Sequence, residues 1–195
     1  MREDKKKECI IRFSSLLAAI PHGWIAGGAV RDHFASMSLS SDIDIFFATK
    51  AKFTEAVELT KKNTAFKPQY THDTLAAFTW QGKTVQFIGT HFFNSPEETI
   101  ANFDFTVCSC AVDTENVYLH PHFFEDLAAR RLAINELPFP LSTLERMIKY
   151  IKRGFTPCNG TLLTLSKAIA EVDLGDKVNT LSFYPNGSPR FIRFD

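Results

Sequence analysis

The sequence contains few cysteines, and none of them has a spacing that would bind a metal. The four cysteines form no Cys-x-x-Cys pair, although Cys108 and Cys110 lie two apart within an apolar run. This pattern excludes a zinc ribbon and a disulfide-stapled scaffold. We expect the thiols to be reduced and buried, with Cys108 and Cys110 on the same face of a strand.

The chain also lacks an excess of charge of either sign and lacks long apolar runs. Lys+Arg and Asp+Glu both number 22, so the formal net charge is zero. A neutral chain is unlike proteins that coat nucleic acid or bind membranes through a basic surface. No segment approaches the ~18 apolar residues that a membrane span requires, and the charged N-terminus is unlike a signal peptide. We therefore expect a cytoplasmic protein with no membrane contact.

The residues that are present predict a mixed α+β fold. The hydrophobic fraction of 45% is enough for one core with a small appended part. Apolar periodicity predicts helices at 4–20, 29–37, 52–62, 122–130, 142–154 and 161–171, and strands at 42–48, 75–80, 83–89, 106–112 and 116–119. We predict a turn at Ser38–Ser41, a helix start at Ser95 and a hairpin at 180–195 around Asn186-Gly187. Residues 1–140 would form a head domain, and 141–195 neck-like helices and a C-terminal hairpin.

Two aspartates on one predicted strand carry the clearest chemical signal. Asp42 and Asp44 are separated by one residue, so they share a face, roughly 6.6 Å apart along the strand. Two carboxylates at that spacing suit Mg²⁺, which prefers oxygen ligands. On its own the pair is weak evidence, because a solvated strand edge gives the same pattern.

A glycine pair upstream adds a possible phosphate site. Gly27 and Gly28 precede a predicted helix, where backbone N–H groups and the positive helix end favour an anion. Arg31 lies one turn into that helix and could reach the same phosphate. A phosphate site followed by a metal-binding aspartate pair is much more specific than either motif alone.

The segments AGGAVRDHF and SDIDIFF resemble the head-domain signature of class II poly(A) polymerases and CCA-adding tRNA nucleotidyltransferases. Weaker matches follow in the family's order at Phe103–Val107 and at Arg146–Lys149. The resemblance covers about residues 22–156. It implies a nucleotidyltransferase-fold head, with a short mixed sheet flanked by helices.

The resemblance also implies roles for individual residues. Asp42 and Asp44 would hold the catalytic Mg²⁺, and Asp104 would be a third catalytic carboxylate or a ribose contact, unless it only ends a strand. The residues expected to bind the nucleoside triphosphate are Gly27, Gly28, Arg31, Arg146 and Lys149. The expected reaction moves a nucleoside monophosphate from the triphosphate to an acceptor hydroxyl, with release of pyrophosphate.

The sequence departs from the family at several places. Asn102 and Phe103 stand where the family has paired arginines, and its nucleotide-selecting motif is not recognisable in residues 157–195. The family's helical body that grips tRNA is absent as well. These departures argue against CCA addition as such. The resemblance alone favours an RNA or tRNA 3′ end as the acceptor, while a protein or small-molecule acceptor remains open. A catalytically silent module that binds nucleotides or a partner protein is the rival hypothesis.

Overall fold

The computed structural model describes residues 2–35 and 42–172, together with two short strands near the C-terminus. The helices within these residues are α1 Arg2–Ala19, α2 Gly28–Phe34, α3 Lys50–Lys62, α4 Pro96–Ala101, α5 Phe123–Ala128, α6 Pro140–Ile151 and α7 Asn159–Ala170. The strands are β1 Gly23–Ala26, β2 Ile43–Phe47, β3 Phe66–His72, β4 Leu75–Trp80, β5 Lys83–Ile88, β6 Cys110–Val112, β7 Val117–Leu119, β8 Arg131–Leu132, β9 Thr156–Pro157, β10 Ser182–Phe183 and β11 Pro189–Arg190. The predicted turns at Ser38–Ser41 and Asn186-Gly187 lie outside the described residues.

One mixed sheet organises the molecule. Its strand order is β3-β4-β5-β2-β1-β6-β7, and β2 with β5 is the parallel pair among otherwise antiparallel neighbours. The parallel pair leaves β2 near the middle of the sheet, between β5 and β1. Any side chain on the free face of β2 therefore has neighbours on both sides.

The main core fills one face of this sheet. Alternate residues such as Ile43, Ile45 and Phe47 point to that face and are buried against α1, α2 and α3. Aromatic rings pack edge to face there, as in the contact of Phe47 with Phe53 at 5.8 Å between centroids. The period-two pattern of β2 thus sends its isoleucines inward and its aspartates to the opposite face.

The opposite face is covered over only part of its width. A smaller cluster that includes Trp24, Phe46 and Ile100 covers the β1 and β6 side through α4. A further core joins the segment around Phe105 to α6 and α7, with Met147, Tyr150, Phe155 and Leu165 among its buried members. The aspartates of β2 lie on this second face.

The structure confirms the predicted α+β class and most of the predicted elements. Ser95 caps α4 by accepting a hydrogen bond from the Glu98 N–H, and Gln81-Gly82 joins β4 to β5 with positive φ at both residues. The strands β10 and β11 pair antiparallel within the predicted C-terminal hairpin. The division of the chain at residue 140 stays a prediction.

Three predictions about elements were wrong. Strand β3 was not predicted, because its exposed residues lack an alternating pattern. Strand β6 begins only at Cys110, and Cys108 lies in a preceding turn, so the two cysteines do not share a strand face, although both are free and buried. Helix α6 ends at Ile151, three residues before Gly154, which adopts φ +85°.

Candidate active site

The two aspartates lie together on the uncovered face of the sheet. Asp42 immediately precedes β2 and is exposed, whereas Asp44, its second residue, is half-buried between β5 and β1. Gln86 of β5 is the cross-strand partner of Asp44, and its Nε2 donates to Asp42 Oδ2 at 2.9 Å. The strand thus presents two carboxylates side by side, and a neighbouring amide orients one of them.

The electrostatics of Asp44 differ from those of an ordinary surface acid. Loss of solvation, with repulsion from Asp42, raises the pKa of Asp44 to about 7, while the nearby positive charge of Lys149 opposes this rise. Asp44 therefore sits where a positive charge would be strongly favoured. The carboxylate oxygens fit Mg²⁺ chemically, although no group of three or more acidic, histidine or cysteine side chains with metal-site geometry occurs among the described residues.

The glycine pair forms the junction between β1 and α2. Gly27 has φ +82° and ψ −130°, a conformation reserved for glycine, and its N–H donates to the Cys110 carbonyl at 2.8 Å. Helix α2 begins at the next residue, Gly28. A side chain at Gly27 would come within 3.3 Å of the Phe103 ring, so the turn is also tightly packed. A phosphate role for this turn stays a prediction.

Arg31 has an internal position that the sequence did not indicate. Its guanidinium is 2% exposed, donates to Asp32 Oδ1 at 2.6 Å and to the Tyr150 hydroxyl at 2.8 Å, and lies 5.0 Å from the Tyr150 ring centre. These contacts fasten α2 to α6. The predicted contact between Arg31 and a triphosphate is not part of this arrangement and stays a prediction.

Two other predicted residues meet in an ion pair. Arg146 Nε donates to Asp104 Oδ2 at 2.5 Å, and the Phe105 N–H donates to the other carboxylate oxygen at 3.0 Å. Asp104 is buried, whereas Arg146 is exposed. Asp104 thus anchors α6 to the segment before β6. Its predicted role as a third catalytic carboxylate or a ribose contact stays a prediction.

Lys149 lies one turn after Arg146 on the exposed side of α6. Its positive charge acts on Asp44 and lowers the pKa of that carboxyl. An open cleft of about 460 Å³ borders α6 at Glu145, Arg146, Ile148 and Lys149. Arg146 and Lys149 therefore both border this cleft, and Lys149 is near enough for its charge to act on Asp44. Their binding to a triphosphate stays a prediction.

Sequence reasoning missed three residues at or near this site. Gln86 could have been found from its place in the strand parallel to β2, had the pairing been known. Tyr150 could have been found as the aromatic residue within the otherwise apolar and basic stripe of α6. Tyr70 gave no signal, because it lies on β3, the strand that was not predicted.

Comparison with known proteins identifies the family. The family model for the Gabija anti-defense 2 family matches residues 4–130. The chain belongs to the Gabija anti-defense 2 family. A family relative from Bacillus phage SPbetaL7, "Gabija anti-defense 2", is 31% identical over 135 residues, which are 68% of this chain but 33% of the relative. The chain thus spans about a third of the length of that relative.

Solved structures show the same fold at low sequence identity. The Thermotoga maritima CCA-adding enzyme complexed with tRNA has a TM-score of 0.62 at 17% identity, over 85% of this chain and 45% of the enzyme. The Bacillus stearothermophilus CCA-adding enzyme in complex with CTP has a TM-score of 0.55 at 19% identity, over 76% and 41% of the two chains. A tRNA nucleotidyltransferase complexed with a primer tRNA and an ATP analogue has a TM-score of 0.58 at 17% identity, over 88% and 52%.

The Gabija anti-defense 2 chain therefore has the fold of the nucleotidyltransferase head, as the sequence predicted. At these identities the likeness establishes the fold and leaves the activity to the site itself. Within residues 2–35 and 42–172, none of the helices combines the length and apolarity that crossing a membrane would take.

Proposed function

We propose that this chain is the nucleotide-handling part of an anti-defense protein, which binds a nucleoside triphosphate with Mg²⁺ and transfers its nucleoside monophosphate to a protein hydroxyl. The observation that carries the proposal is the pair Asp42 and Asp44 on one open sheet face, with Asp44 half-buried and Lys149 close to it. A protein acceptor fits a neutral chain of an anti-defense family better than an RNA end does.

The residues have distinct parts in this reaction. Asp42 and Asp44 would hold Mg²⁺, which supplies charge neutralisation for the phosphates when bound. Gln86 holds Asp42 in place through its amide. Lys149 and Arg146 would bind the triphosphate oxygens, and Gly27-Gly28 would let backbone N–H groups approach them. Catalysis would rest on positioning and electrostatics, as in other phosphoryl transfers.

The first test measures nucleotide binding directly. Equilibrium binding of each labelled nucleoside triphosphate is measured with and without Mg²⁺ for the unmodified chain and for Asp42→Asn and Asp44→Asn. We expect each substitution to weaken Mg²⁺-dependent binding by more than about tenfold, the scale on which losing a residue that supports a metal ligand acts. Glu115→Gln, an exposed carboxylate in the β6–β7 turn, is the matched control. Equal binding by all four proteins would overturn the proposal.

A silent nucleotide-binding module is the second candidate function. It is favoured by the two-carboxylate site and by the internal use of Arg31 and Asp104, which removes two predicted participants from the open surface. Transfer distinguishes the two functions. Label from an α-³²P nucleoside triphosphate that becomes covalently attached to protein, and no longer does so in Asp44→Asn, supports transfer; metal-dependent binding without any covalent label supports the silent module.

A further inference from the structure

Strand β3 contains a bulge that changes which of its side chains face the aspartates. Phe66, Lys67 and Pro68 pair with Trp80, Thr79 and Phe78, but Tyr70 pairs with Ala77 rather than with Ala76. The extra residue is Gln69, whose side chain donates to Thr79 Oγ1 at 2.8 Å. Bulges re-aim side chains in this way and are over-represented beside active sites.

The bulge places Tyr70 in the same cross-strand row as Asp44. Tyr70 pairs with Ala77, Ala77 with Gln86, and Gln86 with Asp44, so all four side chains leave the same face of the sheet. If pairing continued without the bulge, Gln69 would pair with Ala77, and Tyr70 with Ala76, on the face filled by the main core. Three strand spacings separate Tyr70 from Asp44 at the backbone, about 14 Å. Ala77, with only a methyl group, and Gln86, whose amide binds Asp42, stand between the two residues in this row.

Tyr70 lies within electrostatic reach of the carboxylates. Tyr70 is half-buried, while its neighbours in β3 from Lys67 to His72 are exposed. Loss of solvation, then the negative charges of Asp42 and Asp44, raise the pKa of Tyr70. The His72 ring lies 6.0 Å from the Tyr70 ring and supports it from the same strand.

Tyr70 and the α6 cations Arg146 and Lys149 lie on opposite sides of Asp44 along the strand order of the sheet. Helix α6 is fastened to the β1–β6 side, because Tyr150 binds α2 and Arg146 binds Asp104 just before β6. Tyr70 approaches from the β5–β4–β3 side. In an in-line displacement the attacking oxygen and the leaving group lie on opposite sides of the phosphorus. If Lys149 held the leaving part of a triphosphate, the side of the phosphorus open to attack would face Tyr70.

We propose that Tyr70 is a site of self-modification, where the phenolic oxygen accepts a nucleoside monophosphate from the triphosphate bound at Asp42 and Asp44. This inference rests on the proposed function and adds an acceptor within the chain. The Tyr70 Oη bonds to the α-phosphorus as the bond from that phosphorus to the bridging oxygen of the β-phosphate breaks. Pyrophosphate leaves with the bonding electrons, and the phenolic proton passes to solvent, so the product is a nucleotidyl-tyrosine phosphodiester.

The test uses the full chain with each nucleoside triphosphate and Mg²⁺. Intact-mass spectrometry after denaturation detects an added nucleoside monophosphate, and tandem spectrometry assigns the modified residue. We expect one adduct on Tyr70, its loss in Tyr70→Phe and Asp44→Asn, and its retention in Tyr118→Phe. Tyr118 is the matched control because it pairs with Ala111 at the far end of the same row and donates to Asp113 at 2.7 Å.

A second readout needs neither metal nor nucleotide. Ultraviolet titration of the metal-free protein, with Tyr70→Phe to assign the transition, should show that Asp42→Asn lowers the pKa of Tyr70, since a negative charge near the phenol has been removed. An unchanged pKa would contradict the proposed placement of Tyr70.

The outcomes separate this inference from the proposed function. Metal-dependent nucleotide binding without an adduct on Tyr70 overturns the inference and leaves nucleotide binding standing. An adduct that forms equally in Tyr70→Phe places the acceptor elsewhere and overturns it as well. Absence of any nucleotide binding overturns both.

Discussion

Asp44 has surroundings unlike those of an ordinary surface aspartate, because it is half-buried and has a second carboxylate, Asp42, beside it. In the folded, metal-free protein, burial and the negative charge of Asp42 raise the pKa of Asp44 to about 7. The Asp44 carboxyl therefore keeps its proton to a higher pH than an ordinary aspartate does. This gives the residue a measurable signature that is independent of catalysis.

Replacing Asp44 with asparagine should stabilise the metal-free protein, and increasingly so as the pH rises. Below pH 3.8, the ordinary pKa of an aspartate, the Asp44 carboxyl is protonated in both the folded and the unfolded states. Between pH 3.8 and about pH 7 the folded state keeps a proton that the unfolded chain releases. Stability contributed by Asp44 is therefore lost as the pH rises through its folded pKa. We expect Asp44→Asn to raise the Tm by about 2–5 °C at pH 8 and by much less at pH 4.5.

Thermal unfolding with a chelator present checks this expectation, and Glu115→Gln is again the control because its carboxylate is exposed. A Tm difference between Asp44→Asn and the unmodified chain that stays constant from pH 4.5 to pH 8 would show that Asp44 titrates normally.

The aspartate pair could be predicted from sequence because it depends only on period-two alternation within one strand. The positions of Arg31 and Asp104 could not, because each depends on a partner more than 40 residues away, Tyr150 and Arg146 respectively. A cation beside a glycine turn has the same local pattern whether it points to a ligand or into the protein.

At the scale of elements, the turn from β1 into α2 depends on one glycine. Gly27 adopts a backbone conformation that side chains strongly disfavour, and the Phe103 ring occupies the space a side chain would need. Gly82, in the β4–β5 hairpin, also has positive φ but has nothing within 4 Å of an added Cβ. A comparison of substitutions at the two glycines therefore separates the cost of backbone strain, present at both, from the cost of crowding, present only at Gly27.

We expect Gly27→Ala to lower the free energy of unfolding by about 3 kcal/mol and Gly82→Ala by about 1 kcal/mol. Chemical denaturation of both variants measures the difference. Similar losses would mean that the Gly27 turn relaxes without displacing Phe103.

Elements with local signals could be predicted, and elements that depend on distant partners could not. The Ser95 cap and the Gln81-Gly82 turn have short-range chemistry that fixes where a helix or hairpin lies. Strand β3 is an edge strand with Lys67, Pro68 and Gln69 in sequence, so no alternation of apolar residues marks it. Its existence depends on pairing with β4, and its bulge on Gln69.

At the scale of the whole molecule, the predicted head is bound closely to the helices that follow it. Tyr150 of α6 accepts a hydrogen bond from the buried Arg31 of α2, and the core around Phe105 takes half of its members from α6, α7 and the segment between them. The family model ends at residue 130, before this contribution begins. The core around Phe105 therefore has members on both sides of residue 140, where the predicted domain boundary stays a prediction.

We expect a chain that ends at residue 140 not to fold. It would lose the burial of Met147, Tyr150, Phe155 and Leu165, worth about 2 kcal/mol each, which together approach the stability of an ordinary domain. A chain that ends at residue 172 keeps all of them and is the matched control. Thermal unfolding of both fragments is followed by circular dichroism. We expect a cooperative transition in the longer fragment and none in the shorter one. A cooperative transition in both would establish the head as an independent domain.

The Gln69 bulge has a consequence for how such a protein can evolve. If substitutions removed the bulge and Gln69 itself paired with Ala77, Tyr70 would turn to the opposite face, while β2 and its carboxylates stayed untouched. Loss of the bulge would therefore exchange Tyr70 for Gln69 on the face that carries Asp42 and Asp44, without any change in the aspartates themselves.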